Sequence, residues 1–124
     1  MAETVAILGA SENPERYSHK AFYALKKHGH HPVPVSPFIG TLDGTPVVGT
    51  LKEIGTHIDT LTMYVNPRVS SKLKDDILHL RPKRVIFNPG SENPELETEL
   101  ENAGIHVVEA CTLILLSSNQ FEKA

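Results

Sequence analysis

Residues able to do chemistry crowd into one short segment of this sequence, GASENPERYSHK, residues 9–20. Gly9 permits a tight turn. Ala10 and Ser11 are small, so a ligand can approach the backbone closely. Ser11 and Ser18 carry hydroxyls, with Tyr17 beside them, and Arg16, His19 and Lys20 carry positive charge. Arginine grips a phosphate with two parallel hydrogen bonds, and lysine acts as a point charge. The apolar run Val5–Leu8 precedes the segment. Ala21, Phe22, Leu25 and His28 follow it at helical spacing. A strand that empties through a glycine turn into a helix start presents free N–H groups and a favourable dipole to an anion. A solvated turn with scattered charges is the alternative, and the pattern alone leaves both open.

Other constellations carry less. His28, His30 and His31 form the densest histidine group. His28 falls at a helix C-terminus, while His30 and His31 straddle a turn into a strand and point apart. No cysteine or carboxylate completes a ligand set, so no metal site is expected. Cys111 stands alone. It reads as a packed thiol, although its place near a strand end leaves a mixed disulfide with a thiol ligand open. Asp75 and Asp76 read as a solvated helical face. There is no G-x-S-x-G nucleophile elbow.

The elements that position segment 9–20 follow from periodicity. Short apolar runs at 5–8, 31–35, 60–65, 84–87 and 105–110 predict strands. Helical spacing predicts helices over 18–28, over 69–80 through Val69, Leu73, Ile77 and Leu80, and from Asn93 to Gly104. The prolines of HPVPV suit a strand end or an edge. A turn is expected at DGTP, 43–46, and one or two helical turns at 50–54. A short helix or strand follows Cys111, and Phe121–Lys123 reads as a frayed terminus. Asn66-Pro67 and Asn93-Pro94 place Asn at a helix N-cap and Pro at the first helical position. Alternating strands and helices predict an α/β fold: a Rossmann-like three-layer sandwich on a five-stranded parallel sheet, order 3-2-1-4-5 in chain sequence. Ligands of such sheets sit beyond the carboxyl ends of the strands, where the order reverses. That crevice is expected between the first and fourth strands.

Which phosphate compound fits is narrowed by what is missing. The dinucleotide fingerprint G-x-G-x-x-G would run through Gly9, Ser11 and Pro14, so two glycines are absent. The acid that holds an NAD ribose after the second strand is also absent, because Val35, Ser36, Pro37 and Phe38 stand there. An ordinary NAD dehydrogenase is disfavoured. Ser36 and Pro37 are compatible with a phosphorylated ribose and an adenine face, or with a plain turn.

The segment LGASENPERYSHKAFYALKKHGHHPVPVSP resembles the small stand-alone CoA-binding proteins, themselves similar to the CoA-binding domain of the succinyl-CoA synthetase α chain. In that family the first loop reads like G-A-S-x-N-P-x-R-x-S, and this chain supplies Gly9, Ala10, Ser11, Asn13, Pro14, Arg16 and Ser18. The HGH before the second strand and the PVSP at its end match as well. GTPVVGTLKEIGTHID and NPGSENPELETELENAGIHVVEAC are similar to later parts, and the likeness fades after Cys111. The resemblance implies a Rossmann-like fold that binds coenzyme A. Gly9, Ala10, Ser11, Arg16, Ser18 and Lys20 would surround the diphosphate and 3′-phosphate, with Asn13 and Tyr17 in the same loop. Ser36 and Pro37 would lie by the adenosine. Val65, Asn66, Asn88 and Gly90 would line the exit of the pantetheine arm.

Size and charge bound the rest. A chain of 124 residues suits one domain, 1–124, and a net charge of −3 makes no general case for nucleic acid. One cysteine fits a reducing compartment, no signal peptide is apparent, and no apolar run approaches a membrane span. The expectation is a cytoplasmic binding protein for CoA or a short acyl-CoA, without catalysis of its own, acting as sensor, carrier or thiol-protecting store. A homodimer is compatible with the sequence but marked by no motif. The alternatives are a small NADP- or acyl-CoA-dependent enzyme and a regulatory module with a vestigial crevice.

Overall fold

The computed structural model describes residues 2–124. The sheet strands are β1 (Thr4–Leu8), β2 (His31–Val35), β5 (Thr60–Met63), β6 (Arg84–Phe87) and β7 (His106–Glu109). They form one parallel sheet in the order β2-β1-β5-β6-β7. A two-stranded hairpin, β3 (Thr41–Leu42) and β4 (Thr45–Pro46), turns through Asp43 and Gly44, both at positive φ, the geometry favoured for two-residue hairpin loops. The helices are α1 (Tyr17–Lys27), α2 (Pro67–Ser70), α3 (Lys74–Leu80), α4 (Pro94–Asn102) and α5 (Thr112–Ser117). The expected turn at 50–54 is a 3₁₀ turn, Leu51–Glu53.

Period-two alternation sorts the strands' side chains into two cores. Val5 and Ile7 point to one face and pack with Phe22 and Leu25 of α1 and Leu116 of α5. Ala6 and Leu8 point to the other, with Leu61, Met63, Ile77 of α3, and Leu96 and Leu100 of α4. The β-strand core is buried on both faces, which explains why β1 and β6 read as largely apolar runs and why even Thr60 and Thr62 of β5 are buried. The three-layer, Rossmann-like α/β architecture is the expected one.

Strand placement differs in one respect. Counted in chain order, the sheet reads 2-1-3-4-5: the third strand, β5, pairs with β1 rather than lying outside β2. The prolines explain this. His31 donates its N–H toward β1, to Glu3 O at 2.8 Å. Pro32 and Pro34 therefore face away from β1, where they offer carbonyls and no N–H. Such a strand suits an edge, and its outer side carries only an isolated parallel bridge, Val35 to Val48. The order reverses between β1 and β5, and the crevice opens there and reaches the end of the fourth strand, β6.

Two further expectations change. The stretch 69–80 is not one helix: α2 ends at Ser70, a 3₁₀ turn spans Ser71–Leu73, and α3 follows. The tail is not frayed. Phe121 is 2% exposed, and Arg84 stacks on its ring at 4.5 Å and donates to its carbonyl. The guanidinium also pairs with Glu3, at 3.3 Å. No helix among the described residues is long and apolar enough to cross a membrane.

Candidate functional site

One crevice of about 970 Å³ lies across the carboxyl ends of β2, β1, β5 and β6. Its volume falls at the upper end of small-molecule pockets, which suits a large nucleotide. Gly9, at φ +94, makes the crossing possible: a Cβ there would come within 3.1 Å of Val65 Cγ1 and 3.3 Å of the Tyr64 backbone. The N–H groups of Gly9 and Ala10 both donate to Val35 O, at 3.0 and 3.1 Å. They lash the loop to β2 instead of facing a ligand.

The rest of the loop is held from within. Asn13 Oδ1 accepts from Glu15 N and Ser11 Oγ accepts from Asn13 N, each at 3.0 Å. His19 Nδ1 donates to Ser11 O at 2.8 Å, which fixes its tautomer. Arg16 is the N-cap of α1, and neither its side chain nor another caps the helix. The first-turn amides at Tyr17 and Ser18 have no partner within the helix. They lie with Arg16 and Ser18 on the crevice wall, an arrangement ready for an anion.

Of the residues singled out by sequence, Gly9, Ala10, Ser11, Arg16, Tyr17 and Ser18 line this crevice from the β1 side. Ser36 and Pro37 line it at the end of β2, Val65 and Asn66 at the end of β5, and Gly90 after β6. The structure does not bring the other three to its wall. Asn13 shapes the loop. Lys20 is exposed, its Nζ 5.4 Å from the centroid of the Tyr17 ring. Asn88 is 3% exposed, donates to Thr62 Oγ1 and Met63 O, and accepts from Thr112 N. It bolts β5, β6 and α5 together. Ser36 is 4% exposed and its Oγ accepts from Phe38 N at 3.2 Å, so the Ser-Pro pair also works as a turn.

Sequence reasoning missed several lining residues. Phe38 is 90% exposed at the mouth, and an apolar residue inside a turn was the available signal. Asp76 lines the crevice rather than open solvent, three residues after Leu73 and seven after Val69, which line it too. Tyr64 also lines it. Its hydroxyl is buried with no hydrogen-bond partner among the described residues, and burial pushes the phenol up to about 12. Cys111 is half-buried at the N-cap of α5 and outside the crevice lining. No group of three or more metal-ligating side chains converges among the described residues.

The loop, its uncapped helix and the switch-point crevice have a counterpart among known sequences. The profile of the family described as "CoA binding domain" matches residues 3–117. The chain belongs to the CoA binding domain family. An uncharacterized protein from Bacillus subtilis (strain 168), YneT, is 33% identical over 107 residues, covering 86% of this chain and 79% of its own. A crystal structure of an uncharacterized protein superposes with a TM-score of 0.93 at 40% identity, covering 98% of this chain and 99% of that one. A Thermus thermophilus protein, cell-free ID.343, gives 0.90 at 32% identity, covering 97% and 91%. The match to the CoA binding domain spans every element of the crevice, from the first loop to the turn after β6.

Proposed function

We propose that this protein binds coenzyme A in the crevice and catalyses no reaction of its own, serving as a sensor, carrier or thiol-protecting protein in the cytoplasm. The carrying observation is the uncapped N-terminus of α1, with Arg16 and Ser18, in the middle of a crevice spanning four strand ends. Membership of the CoA binding domain family supports the same ligand. The diphosphate is assigned to the amides of Tyr17 and Ser18, with the Arg16 guanidinium as counter-charge. The adenosine is assigned to Ser36, Pro37 and Phe38, and the pantetheine arm to the ends of β5 and β6. The residues fit the group: the loop is small at Ala10 and Ser11, and the acid that selects an NAD ribose is missing after β2.

The test is a thermal shift with CoA, 3′-dephospho-CoA, NAD and NADP side by side. A ligand at about 100 times its Kd stabilises by about 2.7 kcal/mol. CoA raises the melting temperature most, and 3′-dephospho-CoA less, because the 3′-phosphate is contacted. No shift with CoA overturns the reading. Turnover of an acyl-CoA or of NADP by the isolated protein overturns its non-catalytic part.

A further inference from the structure

The crevice has a further wall beside the end of β2. The loop that returns to β2 is tied there: Val48 donates its N–H to Pro34 O at 3.0 Å, and its carbonyl accepts from Ser36 N at 2.9 Å. The 3₁₀ turn Leu51–Glu53 follows, and α3 packs on that turn. Leu51 shares one buried core with Val35, and Leu73 packs against the same core. Thr50, Leu51, Leu73 and Asp76 all line the crevice. Of the charged side chains on that lining, Glu15 and Arg16 belong to the first loop, and Asp76 belongs to this wall. The Asp76 side chain is 21% exposed. Its ion-pair partner, Lys52 Nζ, lies 3.8 Å away and is 74% exposed. That distance is too long for a hydrogen bond, and so solvated a pair holds little. The carboxylate therefore keeps its acceptor sites for a ligand. A nucleotide whose diphosphate sits at the first loop and whose adenosine lies at β2 brings its base to this wall.

We propose that Asp76 selects the base of the bound nucleotide: its carboxylate accepts a hydrogen bond from the exocyclic amine of adenine, whose ring lies against Leu51 and Leu73. The inference rests on the CoA reading above and deepens it by assigning the residue that reads the base. A flat heteroaromatic ring suits an apolar wall that carries one acceptor. An ionised carboxylate accepts and never donates. It favours the amine of adenine and opposes the carbonyl oxygen that hypoxanthine and guanine carry at the same ring position. A hydrogen bond to an ionised group is roughly twice as strong as a neutral one, so the choice is measurable. The 3′-phosphate hangs from the ribose, at the other end of the adenosine from the amine. Asp76 therefore meets the base and not the phosphate.

The experiment is isothermal titration of the full chain with CoA and with CoA whose adenine has been deaminated to hypoxanthine, a change of one amine to one carbonyl. The deaminated ligand binds about tenfold more weakly, the value of a hydrogen bond to a charged group. Asp76→Asn is isosteric, and its amide either accepts or donates. In that variant the two affinities converge. Lys52→Ala keeps the discrimination, because the ammonium takes no part in reading the base. Equal affinities in the unaltered chain overturn the inference, and this arm decides even where a variant fails to fold. A preference for CoA that Asp76→Asn leaves undiminished, or that Lys52→Ala abolishes, overturns it too. Failure of CoA itself to bind the unaltered chain overturns the parent reading instead, so the CoA arm tells the two failures apart.

Discussion

Asn88 Nδ2 lies 2.7 Å from Thr62 Oγ1, inside the sheet rather than in the crevice at its edge. The same amide group donates to Met63 O, and its oxygen accepts from Thr112 N. Asn88→Ala would leave the buried Thr112 N–H unpaired, while Met63 O keeps the backbone N–H of residue 88, at a cost of about 1–3 kcal/mol. The expected outcome is a clear loss in denaturant midpoint with CoA affinity changed less than about threefold for the folded fraction, since the side chain is off the wall. Titration of the variant with CoA separates this from a ligand contact, which would weaken binding without unfolding.

Arg16 is exposed at the uncapped start of α1, so its removal leaves the fold intact. Arg16→Ala is expected to weaken CoA about tenfold or more, the value of one charged phosphate contact of ~1.5–3 kcal/mol. Arg16→Lys recovers only part of the loss, because an ammonium cannot make the parallel pair of bonds. Calorimetry at two salt concentrations checks it, and unchanged affinity would place the phosphates elsewhere.

Gly9 faces both steric walls at once. Its φ of +94 disfavours any L side chain, and an added Cβ would meet Val65 Cγ1 at 3.1 Å. Gly9→Ala is expected to destabilise by about 1–3 kcal/mol and to weaken CoA, because the β1 and β5 exits are pushed apart. Paired denaturation and binding curves measure both effects. A stable variant with wild-type affinity would mean the strand ends have room to spare.

His30 sets a pH dependence. It is 6% exposed, its Nδ1 accepts from Glu3 N at 3.0 Å, and its ring packs on Phe121. Burial holds its pKa below the ordinary 6.5, although the carboxylates of Glu3 and Glu122 pull it upward and His28 pulls it down. The unfolded chain therefore binds the proton more readily than the folded one. Stability is fully present above pH 6.5 and falls as pH drops through the folded pKa. The melting temperature is expected to fall from pH 7 to pH 5.5, and His30→Phe to show a shallower fall. Parallel slopes for the two proteins would remove His30 from the account.

Much of the fold was legible because its signals are local. Val5 and Ile7 alternate with Ala6 and Leu8, and Asn66 and Asn93 sit as N-caps, accepting from Val69 N at 3.1 Å and Leu96 N at 3.2 Å. Pro32 and Pro34 argue for an edge, and β2 meets only an isolated bridge on its outer side. The family resemblance implies a crevice position for Asn88, and the fold buries it in the sheet. Nothing in a linear pattern reveals that Thr62 and Thr112, distant in sequence, consume its hydrogen bonds. Phe121 looks like tail in the sequence for the same reason. Its partner Arg84 is a charged residue inside a strand, and only the fold shows that Glu3 balances it. Asp76 lies three residues after Leu73 and four before Leu80, beside the stripe that helical periodicity marks as inward, and its charge alone argues for solvent.

The outer rim of β2 has one more consequence. Pro34 O accepts from Val48 N at 3.0 Å, and Ser36 N donates to Val48 O at 2.9 Å, so a neighbouring loop already occupies the end of that rim. What remains open, at Pro32, is an acceptor without a donor. A foreign strand arriving there finds half a ladder, and stacking of one molecule's sheet onto another's is frustrated at the first rung. The proline pair thus guards the protein's solubility as a concentrated solution or a crowded cell would test it.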